Sequence, residues 1–515
     1  MTNIKHSILH INTDGISGGA GKAAYRLHKG LLSIGRNSQY LVKEIQTTDP
    51  TIFVAPADAH FERHLVNDEL INKHYIWYNR TAVTNTYFSF SYPGYDLSKN
   101  SLILDADILN LHWTEDFLSP RSLNALFSMN KPAVWTLHDQ KPFTGGCHYS
   151  AGCKKYQELC QRCPQLSEDP IGLPSAILRD KMELFKGADL TIVTPSQWLA
   201  KEARKSNLFK SNRVEVIPNS LETDIYYPVD KETAKKLLDI DPNTITIMFG
   251  SADISDERKG IRHLIAATYF CLKDARFKKL IDSRKLVFIC VGKADELTGQ
   301  MPVPLMNMGY IDDDRSMAGI YNAADMFILP SVEDNLPNTM IEAMACGAPV
   351  ISFKAGGMPD VIIDDLNGKL ADFRDDEQLG RAILDLVFNP DKRAFLNSNC
   401  SLLIREKYKL EDQANNYLRL YDELLKDRGE RKTTVIPYGG TYGRNTRIIY
   451  GGLFRFAVKK VLKKKFNVEV NNEFALSVLG CGLRFMRKVI PNHLNYFFRQ
   501  CERIYHSLHI DNRKR

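Results

Sequence analysis

Over the first 430 residues, short apolar segments alternate with longer stretches of helical periodicity, and this pattern limits the fold more than any other feature of the chain. Ser7–Asn12, Ala106–His112, Ala133–His138 and Leu190–Thr194 form one series of such segments. Val214–Ile217, Ile245–Phe249, Leu286–Val291, Met326–Leu329 and Val350–Phe353 form a second. They are short for helices, and their apolar runs suit strands buried on both faces. Parallel strands need crossover helices, so two such series predict two doubly wound α/β domains. The polar stretch Ser206–Asn219 sets the expected hinge, with one domain over 1–206 and a second over 207–395. Residues 396–429 read as closing helices. Apolar groups recur helically through Leu410–Lys426, and Arg428–Gly429 fits a helix stop. Residues 430–515 then form a tail that begins with a glycine-rich linker, Tyr438–Gly443.

The 515 residues are ample for two full cores. A 44% hydrophobic and 25% charged composition excludes a disordered or fibrous chain. No stretch nears the 18 uninterrupted apolar residues of a spanning helix, and Met1–His10 has no signal-like apolar run, so a cytoplasmic protein is expected. Ten cysteines are too sparse for a disulfide scaffold. The net charge of +7 is unevenly placed: Arg431–Arg515 holds 18 Lys or Arg against 4 Asp or Glu, while the rest of the chain is acidic.

Four motifs carry chemistry. Asp14–Lys22 puts glycines, among them Gly18 and Gly19, between a strand and a helix, where backbone amides can approach an anion. The spacing is neither Gly-x-Gly-x-x-Gly nor that of a Walker loop, and a plain tight turn explains it equally well. Ser331–Ile351 runs from the end of a strand into a helix. The backbone of Asn335, Leu336, Pro337 and Asn338 lies where that helix begins, with N–H groups on all but Pro337, and Asp334 and Glu342 fall two turns apart, able to face one cleft. His138–Asp139 ends a buried strand, where α/β folds place ligand-binding groups. Cys147, Cys153, Cys160 and Cys163 have the make-up of a closed zinc site of four thiolates, with His148 as an alternative ligand. Four unconnected thiols are the plainer alternative.

Taken together, the motifs resemble the GT-B retaining glycosyltransferases of family GT4 over about residues 7–426. The pattern of two acids separated by seven residues and followed by Ala-Met-Ala-Cys-Gly-x-Pro-Val falls on Asp334 and Glu342, with Asp where the family has Glu; Glu333 lies one residue too early. Ser17–Ala20, Thr194–Trp198, Val216–Ser220, Lys259–Gly260 and Ala355–Asp360 resemble further family segments in the same order. The usual Arg after the first strand of the second domain is missing from Phe249–Asp253, and Arg258 is the nearest substitute.

The resemblance implies two Rossmann-like domains facing across a cleft, in which a nucleotide-diphospho-sugar meets a saccharide acceptor and the sugar is transferred with retention. Gly18, Gly19, Arg258, Lys259, Asn335, Leu336, Pro337, Asn338 and Glu342 would bind the donor. His138, Asp334 and Lys259 would act on the reaction, with no catalytic metal; Asp312–Asp314 reads as a loop. The Cys-rich insert, 143–165, would hold a structural zinc beside the acceptor. A sugar-nucleotide epimerase, a phosphorylase and a non-catalytic sugar-binding scaffold are the rival readings.

The tail is expected to be helical and membrane-binding. Leu453, Phe454, Ala457, Val458, Val461 and Leu462 share one face, opposite Arg455, Lys459, Lys460, Lys463 and Lys464. Further apolar stripes run through Leu476–Ile490 and Leu494–Leu508. Residues 430–515 would dock on an anionic surface at the inner face of the cytoplasmic membrane, near a polyprenyl-diphosphate-linked acceptor of capsule or exopolysaccharide synthesis. Packing on the enzyme is the alternative. No motif for nucleic acid accompanies the charge.

Overall fold

The computed structural model describes residues 6–44, 48–253, 255–293, 298–427 and 433–466. Two parallel sheets organise them. The first contains β1 (Ser7–Asn12), β2 (Asn37–Val42), β3 (Ile52–Val54), β4 (Ile108–Leu111), β5 (Ala133–Thr136), β6 (Leu190–Thr194) and β7 (Val214–Val216), in the spatial order β3-β2-β1-β4-β5-β6-β7. The second contains β8 (Ile245–Asp253), β9 (Leu286–Lys293), β10 (Leu305–Asn307), β11 (Met326–Leu329), β12 (Val350–Phe353) and β13 (Gly368–Ala371), in the order β10-β9-β8-β11-β12-β13. Helices cover both faces, so the central strands β4, β5, β6, β11 and β12 are buried along their whole length. The expected fold class, two doubly wound Rossmann-like domains with a helical C-terminal region, is the observed one.

In both sheets the strand order reverses beside the first strand, between β1 and β4 and between β8 and β11. A crevice opens there at the carboxyl ends of the strands, where doubly wound sheets take ligands. The loops leaving β1, β4 and β5 meet those leaving β8 and β11 around a shared cleft.

One strand is not where the sequence pattern places it. Val214–Val216 pairs with β6, in the register Val193 to Glu215, and forms the edge of the first sheet rather than the start of the second. The crossing between domains therefore follows Val216, inside the expected hinge Ser206–Asn219 but after the boundary drawn at residue 206. The chain returns after the second domain. Helix Pro390–Lys407 packs on helix Asn338–Ala345, and helix Leu410–Lys426 lies on helix Gly18–Ser33 of the first domain. There Tyr417, Leu420, Tyr421 and Leu424 join Ile8, Leu27 and Leu31 in one core. The helices approach so closely that a Cβ on Gly30 would lie 2.5 Å from the Leu410 carbonyl oxygen.

The tail's first helix, Arg444–Phe466, packs on the enzyme. Tyr442 and Leu453 are buried with Ile71, Tyr75, Tyr92, Leu173 and Ile177 of the first domain. Asp180 accepts the backbone N–H of Asn445 at 2.8 Å and of Thr446 at 3.1 Å, satisfying amides at the helix start. The stretch before it is bound as well: Thr434 N–H donates to the Gly187 carbonyl at 3.0 Å and Tyr438 N–H to Asn124 at 2.8 Å. Leu453 and Ala457, expected on a membrane-facing stripe, are both buried in this packing. The stripes Leu476–Ile490 and Leu494–Leu508 lie outside the described residues.

Candidate active site

The cleft holds about 1080 Å³ of open space. Its floor is charged. Arg258 and Lys259 form a one-turn 3-10 helix with Glu257, after β8, and Gly260 ends that turn in the left-handed region at φ 73°. A Cβ there would lie 1.9 Å from the Pro330 carbonyl, so the glycine lets this turn press against the loop after β11. Asp334 on that loop accepts from Lys259 Nζ at 2.6 Å and pairs with Arg258 Nη1 at 3.0 Å. Burial works to raise the Asp334 pKa, but Lys259 and Arg258 outweigh it and hold the carboxyl well below the usual range. Burial and the neighbouring Arg258 lower the Lys259 pKa against the pull of Asp334.

Tyr149, from the Cys-rich insert, completes this group. The Arg258 guanidinium stacks 4.3 Å from its ring centroid, and its hydroxyl donates to Asp334 at 3.3 Å. The neighbouring Glu333 turns the other way. It accepts the Ala151 N–H at 2.9 Å and the Ser150 hydroxyl at 3.3 Å, so Asp334 is the acid that faces the cleft.

Asn335 joins the two domains. Its amide donates to the carbonyls of Leu137 at 3.3 Å and His138 at 3.2 Å, and its oxygen accepts from Ser196. His138 thereby sits at the cleft, half-buried, in a lining it shares with Arg258 and Lys259. Asp139 is held by His148 Nδ1 at 2.7 Å and by Trp113 Nε1 at 3.1 Å. Leu336, Pro337 and Asn338 line the cleft at the start of helix Asn338–Ala345, whose Pro337 cap leaves its first amides without a side-chain partner. Gly19 lines the opposite wall and its carbonyl accepts from Asn338 at 2.9 Å, while Gly18, at φ 68°, sits just behind.

Glu342 is placed differently. It is 3% exposed and outside the lining of the cleft. Its carboxylate takes Arg26 Nη2 at 2.9 Å and the Tyr321 hydroxyl at 3.3 Å. Arg26, wholly buried on helix Gly18–Ser33, also donates to Glu222 at 2.8 Å. Asp314 is tied to Lys22 and accepts the Tyr226 hydroxyl at 2.9 Å, while Asp313 caps a helix through Ser316 N–H at 2.7 Å, so neither is set for a metal.

Cys147, Cys153, Cys160 and Cys163 do line one cavity. Yet among the described residues no group of three or more His, Cys, Asp or Glu side chains is disposed to hold a metal ion. His148, the alternative ligand, is occupied by Asp139 and by Ser89 at 3.1 Å. What the insert does show is the placement of Tyr149, Ser150 and Ala151 against the loop after β11.

Tyr149, Arg26, Trp113 and His10 were not singled out for the site from sequence, whereas His112 reads as placed like His138 but weaker. Arg26 lies one turn beyond Lys22 on the helix of the glycine loop, and that spacing is the available signal. For Tyr149 the signal is adjacency to Cys147 and His148.

Fold and site together define a GT-B architecture. Comparison with known proteins finds similarity to glycosyltransferases. Residues 244–389 match the family of glycosyl transferases group 1. The chain is similar to WcaC of Escherichia coli (strain K12), named for colanic acid biosynthesis, with 26% identity over 240 residues, 44% of this chain and 53% of that protein. Its fold is similar to sucrose-phosphate synthase from Thermosynechococcus elongatus, at a TM-score of 0.56 and 18% identity, over 82% of this chain and 99% of the other. It is also similar to HepE from Anabaena, solved with UDP and glucose, at a TM-score of 0.54 and 15% identity, over 81% and 99%. The chain spans about half the length of the curated relatives it matches. The matched family model and the named relatives support an enzyme of the glycosyltransferase class.

Proposed function

We propose that this enzyme moves a sugar from a nucleotide-diphospho-sugar to a saccharide acceptor. The observation that carries the reading is the Arg258–Lys259 pair, held on Asp334 in the cleft that His138 also lines. Cleaving the anomeric C–O bond leaves negative charge on the diphosphate. Two fixed cations and the amides at the start of helix Asn338–Ala345 stabilise that charge where it develops. Asp334 is the group that a donor phosphate would displace from the cations, which leaves its carboxylate free for a sugar hydroxyl. Glu342 reaches a donor ribose only when Arg26 releases it, so donor entry involves a parting of the two domains at this contact.

Transfer with retention is the favoured course. Asp139, beside His138, is locked in bonds to His148 and Trp113, and Asp334, once displaced from the cations, is committed to a sugar hydroxyl, so neither is set as a nucleophile or as a base. Attack on the face the phosphate leaves, with that phosphate as base, uses the groups that are present. The likeness to WcaC, named for colanic acid biosynthesis, supports a role in polysaccharide synthesis, and a lipid-linked acceptor at the cytoplasmic membrane is part of the same proposal. No helix among the described residues is long and apolar enough to cross a membrane. Docking through 430–515 therefore rests on its charge and on the exposed basic groups Arg444, Arg447, Lys459 and Lys463.

The test is turnover of a panel of UDP-, GDP- and ADP-sugars with a membrane extract as acceptor source. The anomeric configuration of the product is read by NMR. Sugar transferred with the donor's configuration supports the reading. A sugar nucleotide that is only epimerised, or none consumed, rejects it.

A further inference from the structure

His138 is the outer member of a row. Its Nε2 lies 3.2 Å from Nδ1 of His112, and Nε2 of His112 lies 3.0 Å from Nδ1 of His10. The three come from the neighbouring strands β5, β4 and β1 or the residues just beyond them. His10 and His112 are buried, and His138 opens on the cleft. The row ends blind: His10 Nε2 is buried and has no hydrogen-bond partner among the described residues. Around it stand Tyr40, stacked on the ring, and His28, whose two nitrogens are taken by Ser38 and Thr51. Burial, then the neighbouring rings, hold His10 and His112 well below the usual imidazole pKa. Burial likewise lowers His138 to about 4, against the pull of Asp139. All three are neutral at pH 7.

A neutral imidazole has one N–H and one bare nitrogen. Each of the two ring-to-ring bonds holds one proton, so the third proton must sit at one end of the row. Placed on His10 Nε2, it is a buried donor with nothing to accept it. Placed on His138 Nδ1, it faces the cleft, and His10 is left with only an unused lone pair. Orphaned buried N–H groups are the rarer and costlier fault.

We infer that His10 and His112 are positioning residues that fix His138 as its Nδ1–H tautomer, so that it meets the transferred sugar as a hydrogen-bond donor and not as a base. The blind end also bars proton relay, because no group at His10 can resupply a proton. The part played toward the sugar rests on the glycosyltransferase reading, whereas the tautomer rests on the row itself.

Full-length protein labelled with 15N-histidine tests this by long-range 1H–15N correlation. His10, His112 and His138 are expected as Nδ1–H rings, against the Nε2–H form that free imidazoles prefer. In His112→Phe, His138 should lose that form, and kcat should fall about tenfold, the worth of roughly one hydrogen bond. KM for the sugar nucleotide should stay within about twofold. His112→Asn, whose amide replaces the Nδ1–H donor, should restore most of both. Three Nε2–H rings in the wild type overturn the inference, as does a His138 tautomer unchanged in His112→Phe. If His112→Phe does not fold, the wild-type spectrum decides alone. Expected tautomers without turnover of any sugar nucleotide would reject the transferase reading and leave the positioning role standing.

Discussion

Arg26 on the first helix of one domain and Glu342 on the motif helix of the other share a buried hydrogen bond of 2.9 Å. Both are almost wholly out of solvent, and Glu222 takes the Arg26 Nε at 2.8 Å. One guanidinium thus serves two carboxylates beyond the point where the chain crosses between the domains. Burial opposes its charge, but Glu342 and Glu222 together hold the Arg26 pKa above its ordinary value.

Removing that guanidinium takes from two buried acids their shortest ion pair and leaves Glu342 with Lys22 at 3.6 Å and Glu222 with Lys29 at 3.8 Å. Arg26→Ala is expected to destabilise the protein by about 3 kcal/mol, the lower end of what removing one partner of a buried ion pair costs. Adding Glu342→Gln to it should recover part of the loss, because one of the two acidic charges is gone. Urea unfolding of the three proteins checks both statements. An Arg26→Ala midpoint equal to wild type would show that the contact does not hold the domains.

The lowered pKa of His138 has a consequence for acid stability. Folded His138 titrates at about 4, below the ordinary 6.5. Between these values the unfolded chain binds a proton that the folded chain refuses, so this group's contribution falls as pH drops from 6.5 toward 4. His28, also lowered to about 4, adds to the same window, so the comparison is made between proteins that share it. His138→Asn should lose less stability than wild type between pH 7 and about 4.5, by thermal unfolding at each pH. Equal losses would place the His138 pKa near its ordinary value.

The tail helix gives a third expectation. Leu453 is fully buried against Ile71, Tyr75 and Leu173. Leu453→Ala should cost about 2–5 kcal/mol, as large-to-small changes in a packed core do. A chain ending at Gly429 would uncover the same apolar surface and should melt below the full chain or aggregate. If the shortened chain unfolds like the full one, the helix is not part of the enzyme's core.

Much of this architecture was legible in the sequence, because fully buried parallel strands leave uninterrupted apolar runs. Ser7–Asn12, Leu190–Thr194, Met326–Leu329 and Val350–Phe353 have the same limits in sequence and structure. The edge strands β3, β10 and β13 were not visible, since three or four half-exposed residues carry no such signal. Val214–Val216 was visible as a strand but not as a member of the first sheet, because a pattern of burial does not say which neighbour a strand pairs with. In the site, the motif residues Lys259, Asp334, Asn335 and His138 do converge on one cleft. Glu342 shows the limit of such reading. Its apolar neighbours revealed that it is buried, but not that an arginine more than three hundred residues earlier in the chain takes its charge.

The most direct test of the account is calorimetric titration of sugar nucleotides into wild type and Lys259→Ala. One of the UDP-, GDP- or ADP-sugars should bind the wild type. Lys259→Ala should weaken that binding by at least about tenfold, because a charge-assisted bond to phosphate is lost. It should leave the much weaker binding of the free nucleoside unchanged. A folded wild type that binds no sugar nucleotide, or a Lys259→Ala protein that binds one equally well, would contradict the claim that this cleft is a diphospho-sugar site.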